Sequence, residues 1–162
     1  MRVRSLLLAA TVLAGCSGTS SGGSNVGAAG AAGSTSTTGA CADDMRAQSY
    51  SPGMEVTGAK GVYRARLSAI DPAPAIKGTN AWTVEILDAS GAPVDGATVT
   101  VKPFMPDHGH GSSIVPVVTA KTGGVYAIDS LVLFMPGLWQ TTITVTGPAG
   151  VDTAVFSFCV NG

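Results

Sequence analysis

Residues 103–113 read Pro-Phe-Met-Pro-Asp-His-Gly-His-Gly-Ser-Ser and hold both histidines of the chain, His108 and His110. Met105 and Asp107 stand beside them. Imidazole and thioether together suit copper, because a methionine sulfur favours Cu(I) and imidazole accepts either oxidation state. In an extended His-x-His both rings project to one side, about 6.6 Å apart along the strand, where they can share one ion. Gly109 and Gly111 let the backbone curl around such an ion. The same residues also fit a plainer role, with Met105 capping the open end of an apolar core and the histidines on a solvated turn.

Nothing else in the chain assembles comparable chemistry. Asp43 and Asp44 are adjacent, but they sit on an entry segment beside Cys41, where a solvated turn is expected. Ser112 and Ser113 neighbour the histidines, yet a hydrolytic triad is built across a fold rather than along one short loop. The only glutamates are Glu55 and Glu85, and strand alternation points Glu85 outward. There is no phosphate-cradling glycine loop between a strand and a helix, and no HExxH. Nine Lys plus Arg stand against ten Asp plus Glu, with 12% charged residues in all. Such a chain lacks the cationic stripe that replaces phosphate counterions, which excludes nucleic acid as a partner. The expectation is a protein that is not an enzyme.

The elements that must position the loop are strands. Residues 61–69 place Tyr63, Ala65, Leu67 and Ala69 on one face and Arg64 and Arg66 on the other. Residues 81–87 turn Trp82, Val84 and Ile86 inward, and residues 97–104 alternate Val99 and Val101 with Thr98, Thr100 and Lys102. Residues 138–146 oppose Trp139, Ile143 and Val145 to Gln140, Thr142 and Thr144. Period-two alternation repeated this often excludes helices. Residues 125–131 and 153–160 are strands by composition, and 113–119 is an edge strand because Pro116 removes a ladder donor. Turn residues at 90–93, 121–124 and 147–150 separate these runs. The reading is an all-β, immunoglobulin-like β-sandwich of about seven antiparallel strands over residues 41–162. Asn80 and Asp95 read as turn residues and Trp139 as core.

The residues before 41 read as an address. Arg2 and Arg4 precede an apolar run, Ser5 to Ala14, which is far shorter than the roughly 20 residues that span a bilayer. It fits the apolar centre of a signal peptide over residues 1–15. Leu13-Ala14-Gly15-Cys16 resembles a bacterial lipobox, which implies cleavage before Cys16 and lipidation of its thiol. Ser17 after the cysteine resembles the outer-membrane sorting pattern of enteric bacteria, so the expected location is the cell envelope, with the anchor in the outer membrane facing the periplasm. The mature chain keeps seven basic residues against ten acidic, a net charge of −3. Residues 16–40 follow as the lipidated cysteine and a Ser/Gly/Thr-rich tether without charge, with a root-mean-square reach on the order of 25–30 Å. Membrane contact is therefore expected through the N-terminal lipid alone.

Cys41 and Cys159 remain, and an even pair in an oxidising envelope is most simply a disulfide. It would tie the entry segment to the outside of the final strand. No CxxC spacing favours a metal or redox role for them.

If successive strands alternate direction, loops 70–79, 105–112 and 132–137 gather at one end. The last contains Phe134-Met135-Pro136-Gly137, a second Met-Pro, so Met135 can approach the histidines. The candidate copper set is Met105, His108, His110 and Met135.

A family resemblance rests on motifs in a fixed order: Gly61-x-Tyr63; Pro72 with Gly78-x-Asn80; Asp88-x-x-Gly91-x-Pro93-Val94-x-Gly96-Ala97; Met105-Pro106-x-His108-Gly109-His110; Gly124-x-Tyr126; and Met135-Pro136-Gly137-x-Trp139. Over about residues 60–147 the chain resembles the YtkA-like domain, related to the periplasmic part of FixH-type proteins. The resemblance implies an immunoglobulin-like sandwich in the bacterial envelope, and association of some members with copper handling or cytochrome oxidase assembly. A lipid anchor in place of a transmembrane helix departs from FixH-type proteins. The functional expectation is an anchored copper carrier or buffer. The alternative is a non-catalytic interaction or structural module without metal, recognising an envelope protein or polymer through an exposed patch for which Phe104, Phe134 and Leu138 are candidates.

Overall fold

The computed structural model describes Cys41 and residues 43–162; the signal, Cys16 and the tether lie outside the described residues. Nine strands run in order: β1 (Met54–Thr57), β2 (Tyr63–Asp71), β3 (Gly78–Asp88), β4 (Thr98–Met105), β5 (His110–Gly111), β6 (Val117–Ala120), β7 (Val125–Leu133), β8 (Gly137–Gly147) and β9 (Gly150–Val160). One sheet has the order β1-β2-β3-β7-β6 and the other β5-β4-β8-β9, and the strand pairs are antiparallel. The fold is the expected all-β sandwich. Among the described residues no helix is long and apolar enough to cross a membrane.

Two of the nine strands escape a reading by alternation. β1 has four residues, only half-buried on its inner side, and β5 has two. Neither is long enough to show a period. The expected strand 113–119 shortens to β6, because Pro116 supplies no ladder donor and pairing with β7 begins at Val117.

The inner faces obey the alternation, with one correction. Tyr63, Ala65 and Leu67 are buried, but Ala69 is exposed and Ile70 takes its place inside. The register between β2 and β3 shifts between Leu67 and Ala69, so an extra residue at Ser68 reverses the facing of the rest of β2. β7 carries a matching shift opposite Asn80 and Trp82, where Ser130 has φ 56°. It lets Leu131 and Leu133 face inward after Tyr126 and Ile128. Trp82, Trp139, Tyr126 and Phe156 are the largest side chains closed between the sheets. Trp82 meets Phe156 and Phe158 edge-on, at centroid distances of 6.1 and 5.6 Å.

The pairing fixes which loops share an end. Asp71 lies opposite Ala81, Gly78 opposite Leu133, Met105 opposite His110 and Gly137 opposite Val160. Connections 72–77, 106–109 and 134–136 therefore gather at one end of the sandwich, with the chain terminus. Connection 134–136 crosses from β7 in one sheet to β8 in the other. The entry segment is stapled to the edge of β9: Cys41 and Cys159 form a disulfide, the Gln48 amide donates to the Ser157 carbonyl at 2.7 Å, and the Ser157 amide donates to Gln48 Oε1.

Candidate metal site

The β4–β5 hairpin turns within four residues. Met105 ends β4, and its carbonyl accepts from the His108 and Gly109 amides at 3.3 and 3.0 Å. Gly109 takes φ 68°, a left-handed conformation that a side chain would strain. The chain then reverses, and His110 pairs directly with Met105. Residues opposed in an antiparallel ladder share a face, so His110 stands beside the buried Met105. His-x-His is thus not an extended pair. His108 lies exposed on the turn, His110 is half-buried on the short strand, and their rings are 5.6 Å apart.

The second wall comes from the β7–β8 connection. Phe134 stacks on His110, with centroids 5.5 Å apart and planes at 19°, and its other contact is edge-on to Trp139 at 5.4 Å. The Trp139 indole N–H donates to the Met135 carbonyl at 2.9 Å, which fixes the backbone that carries the second thioether. Met135 is half-buried against the core. Gly137, at φ 132°, packs against the Met105 thioether methyl. Met105, His110 and the 134–137 connection are therefore brought together. His108 is adjacent on the solvent side, and Met135 is joined to the group through Phe134 and Trp139.

The donor types fit a soft ion. Two imidazoles and two thioethers form a neutral set that favours Cu(I) over hard cations; Met105 and the two histidines stand side by side, while Met135 is tied in through its carbonyl, which accepts from Trp139. Among the described residues no three His, Cys, Asp or Glu side chains converge as a metal group. Asp107, the nearest carboxylate in sequence, is engaged elsewhere: Arg46 Nη2 donates to its Oδ2 at 2.8 Å. Arg46 also forks onto Asp44, with Nη2 to Oδ2 at 2.6 Å and Nε to Oδ1 at 3.0 Å. These hydrogen bonds from Arg46, with its backbone amide adding another, hold the Asp44 carboxyl at about 2, and the two carboxylates push the Arg46 guanidinium above its ordinary value.

Sequence reading missed Arg46, because its contact with Asp107 spans 61 positions and no local pattern announces it. It missed Asp152 for the same reason. That carboxylate is buried and accepts the amides of Lys60, Val62 and Tyr63. Asn80 is not a turn residue but a buried staple, accepting from the Ile76 amide and donating to the carbonyls of Ile76 and Gly78. Asp95 does serve a turn, its Oδ1 accepting from the Gly124 amide at 2.8 Å. The patch expected from Phe104, Phe134 and Leu138 does not form: Leu138 is buried, Phe104 half-buried, and only Phe134 is exposed. Exposed aliphatic side chains occur instead at Ile114, Val115 and Val117, leading into the edge strand β6.

The crystal structure of "as isolated" FetP from a uropathogenic E. coli strain, expressed in the periplasm of E. coli, is similar to this chain at a TM-score of 0.45 and 13% identity, covering 70% of this chain and 97% of that one. No curated protein matches the sequence. A family model described as YtkA-like matches residues 57–144, more than half of the chain and the whole span from β1's end into β8. The match contains the Met105 hairpin and the Phe134–Trp139 connection, and the chain belongs to the YtkA-like family.

Proposed function

We propose that this protein is a non-catalytic, lipid-anchored β-sandwich of the bacterial envelope that binds copper through Met105, His108, His110 and Met135 as a carrier or buffer. The observation that carries the reading is the pairing of Met105 with His110 beneath Phe134, which puts a buried thioether and a half-exposed imidazole on one face. A soft ion held there exchanges through the solvent side, where His108 stands. The Cys41–Cys159 disulfide supports an oxidising compartment. The basic start and lipobox-like end of residues 1–16 support the anchor. Copper titration of the purified chain under reducing and oxidising conditions tests the reading. Stoichiometric binding tighter than micromolar, lost in the His108→Ala plus His110→Ala variant, is expected; binding that ignores those substitutions would sink it.

A second reading, an interaction module without metal, draws support from Ile114, Val115 and Val117. Val115 is 80% exposed, and the segment borders a groove of about 330 Å³ lined by Thr100, Lys102, Pro103 and Pro116. Loss of a partner on substituting Val115 with Asp, with copper binding absent from the unaltered chain, would favour it.

A further inference from the structure

The run Asp107-His108-Gly109-His110 offers a carboxylate and two imidazoles within one tight turn, a donor set that suits Zn²⁺ or Cu²⁺. The three do not converge. Asp107 is held instead in an ion pair, with Arg46 Nη2 2.8 Å from its Oδ2. Arg46 comes from a remote segment. It is aligned there by Asp44, which accepts from both its side chain and its backbone amide, and that segment is anchored by the disulfide and by Gln48 against β9. The guanidinium therefore does two things at the turn. It engages one oxygen of the carboxylate beside the histidines, and it sets a fixed positive charge next to any incoming cation.

We propose that Arg46 is a specificity-determining residue, which holds the Asp107 carboxylate away from His108 and His110 and so biases the site against divalent ions and towards a monovalent soft one. The inference rests on the proposed copper reading and adds what that reading lacks, a reason for selectivity. Arg46 is a positioning residue: it touches no metal and acts through Asp107. Half of its side chain is open to solvent, so the bias is moderate, and it weakens with salt as exposed charge pairs do. Cleaving the disulfide removes one of the two anchors of the segment that carries Arg46 and leaves the Gln48 hydrogen bonds to Ser157, so it should loosen the hold on Asp107 only in part.

The test measures zinc and Cu(I) affinity separately on the purified chain, for the unaltered protein, Arg46→Ala, Asp107→Asn and the double variant. Zinc is titrated calorimetrically, and Cu(I) by competition with a chromophoric chelator. Arg46→Ala should bind zinc tighter by on the order of 3- to 10-fold. Adding Asp107→Asn should abolish that gain, while Cu(I) affinity stays within about twofold across the panel. Asp44→Asn, which leaves Arg46 in place but unaligned, should give part of the gain. Zinc affinity unchanged by Arg46→Ala overturns the proposal, and so does a gain that survives in the double variant. If the unaltered chain binds no Cu(I) while Arg46→Ala gains Asp107-dependent zinc binding, the lock stands and the copper reading alone falls.

Discussion

The thioether of Met105 ends against the backbone of Gly137: a β-carbon added at Gly137 would lie 2.8 Å from Cε of Met105. This one contact joins the two Met-Pro connections, because Met105 opens the hairpin that holds the histidines and Gly137 closes the connection that holds Phe134 and Met135. Glycine is required there twice over, for the close approach and for φ 132°.

Gly137→Ala should therefore act on fold and site together. The methyl group must push Met105 off its position, and the left-handed backbone adds strain, so unfolding free energy should fall by about 1–3 kcal/mol. Copper affinity should fall although all four donors remain. Chemical denaturation and copper titration of the same variant check both, and unchanged stability would mean that Met105 repacks freely.

The disulfide closes most of the folded chain, Cys41 and Cys159 being separated by 118 in sequence. Removing it from a small domain costs about 2–5 kcal/mol, through the greater freedom of the unfolded chain. Cys41→Ser plus Cys159→Ser should shift the urea midpoint accordingly while the sandwich still forms, since most of the core lies between the sheets and the entry segment adds to it chiefly through Tyr50 on Phe158. A variant that loses its β-sheet signal in water would show the staple to be essential to folding.

The range of each interaction decides how legible it is in the residues. Alternation is local, so β3, β4 and β8 are legible in Trp82-Val84-Ile86, Val99-Val101 and Trp139-Ile143-Val145, and their inner faces are as expected. Bulges are not local. The extra residue at Ser68 is specified by how β2 sits on β3, and nothing in Leu-Ser-Ala-Ile says that Ala69 will face water and Ile70 the core. In the site, strand parity is enough to bring the three connections to one end. The stacking of Phe134 on His110 and the hold of Arg46 on Asp107 depend on loop conformation and on a contact across the fold. Sequence spacing carries neither.

Asp152 gives the fold an acid limit. Burial raises the pKa of its carboxyl, but the amides of Lys60, Thr153, Tyr63 and Val62 all donate to it, and together they hold it below the ordinary 3.8. A carboxylate with a lowered folded value adds stability that is complete above the unfolded value and lost as pH falls through the folded one. Unfolding free energy should thus decline below about pH 4. Asp152→Asn should lose about 2–4 kcal/mol at neutral pH, because an amide nitrogen now faces amide donors, and should flatten that acid decline. A decline of unaltered steepness in the variant would assign the acid limit to other carboxylates. Gly58→Ala should mimic the loss, since its β-carbon would fall on the Asp152 carboxylate.

Phe134 is the side chain through which the two halves of the site meet, and it separates positioning from donation. It offers no ligand atom, yet its ring lies flat on His110 and meets Trp139 at 77°. Each such aromatic contact is worth about 0.5–1.5 kcal/mol, so Phe134→Ala should free His110 and weaken copper binding by roughly 3- to 10-fold. Phe134→Tyr keeps the stack and should restore the affinity. Stability should fall by about 1–3 kcal/mol, since both aromatic contacts are lost together, while the sandwich still forms because the core beneath is closed by Trp139 and Met105. The indole of Trp139 reports the same event, since an ion bound beside His110 lies one ring away and should quench its fluorescence. Quenching that persists at full affinity in Phe134→Ala would show that His110 needs no support from the ring. Equal loss in Phe134→Ala and Phe134→Tyr would trace the effect to shape at the rim and not to the stack.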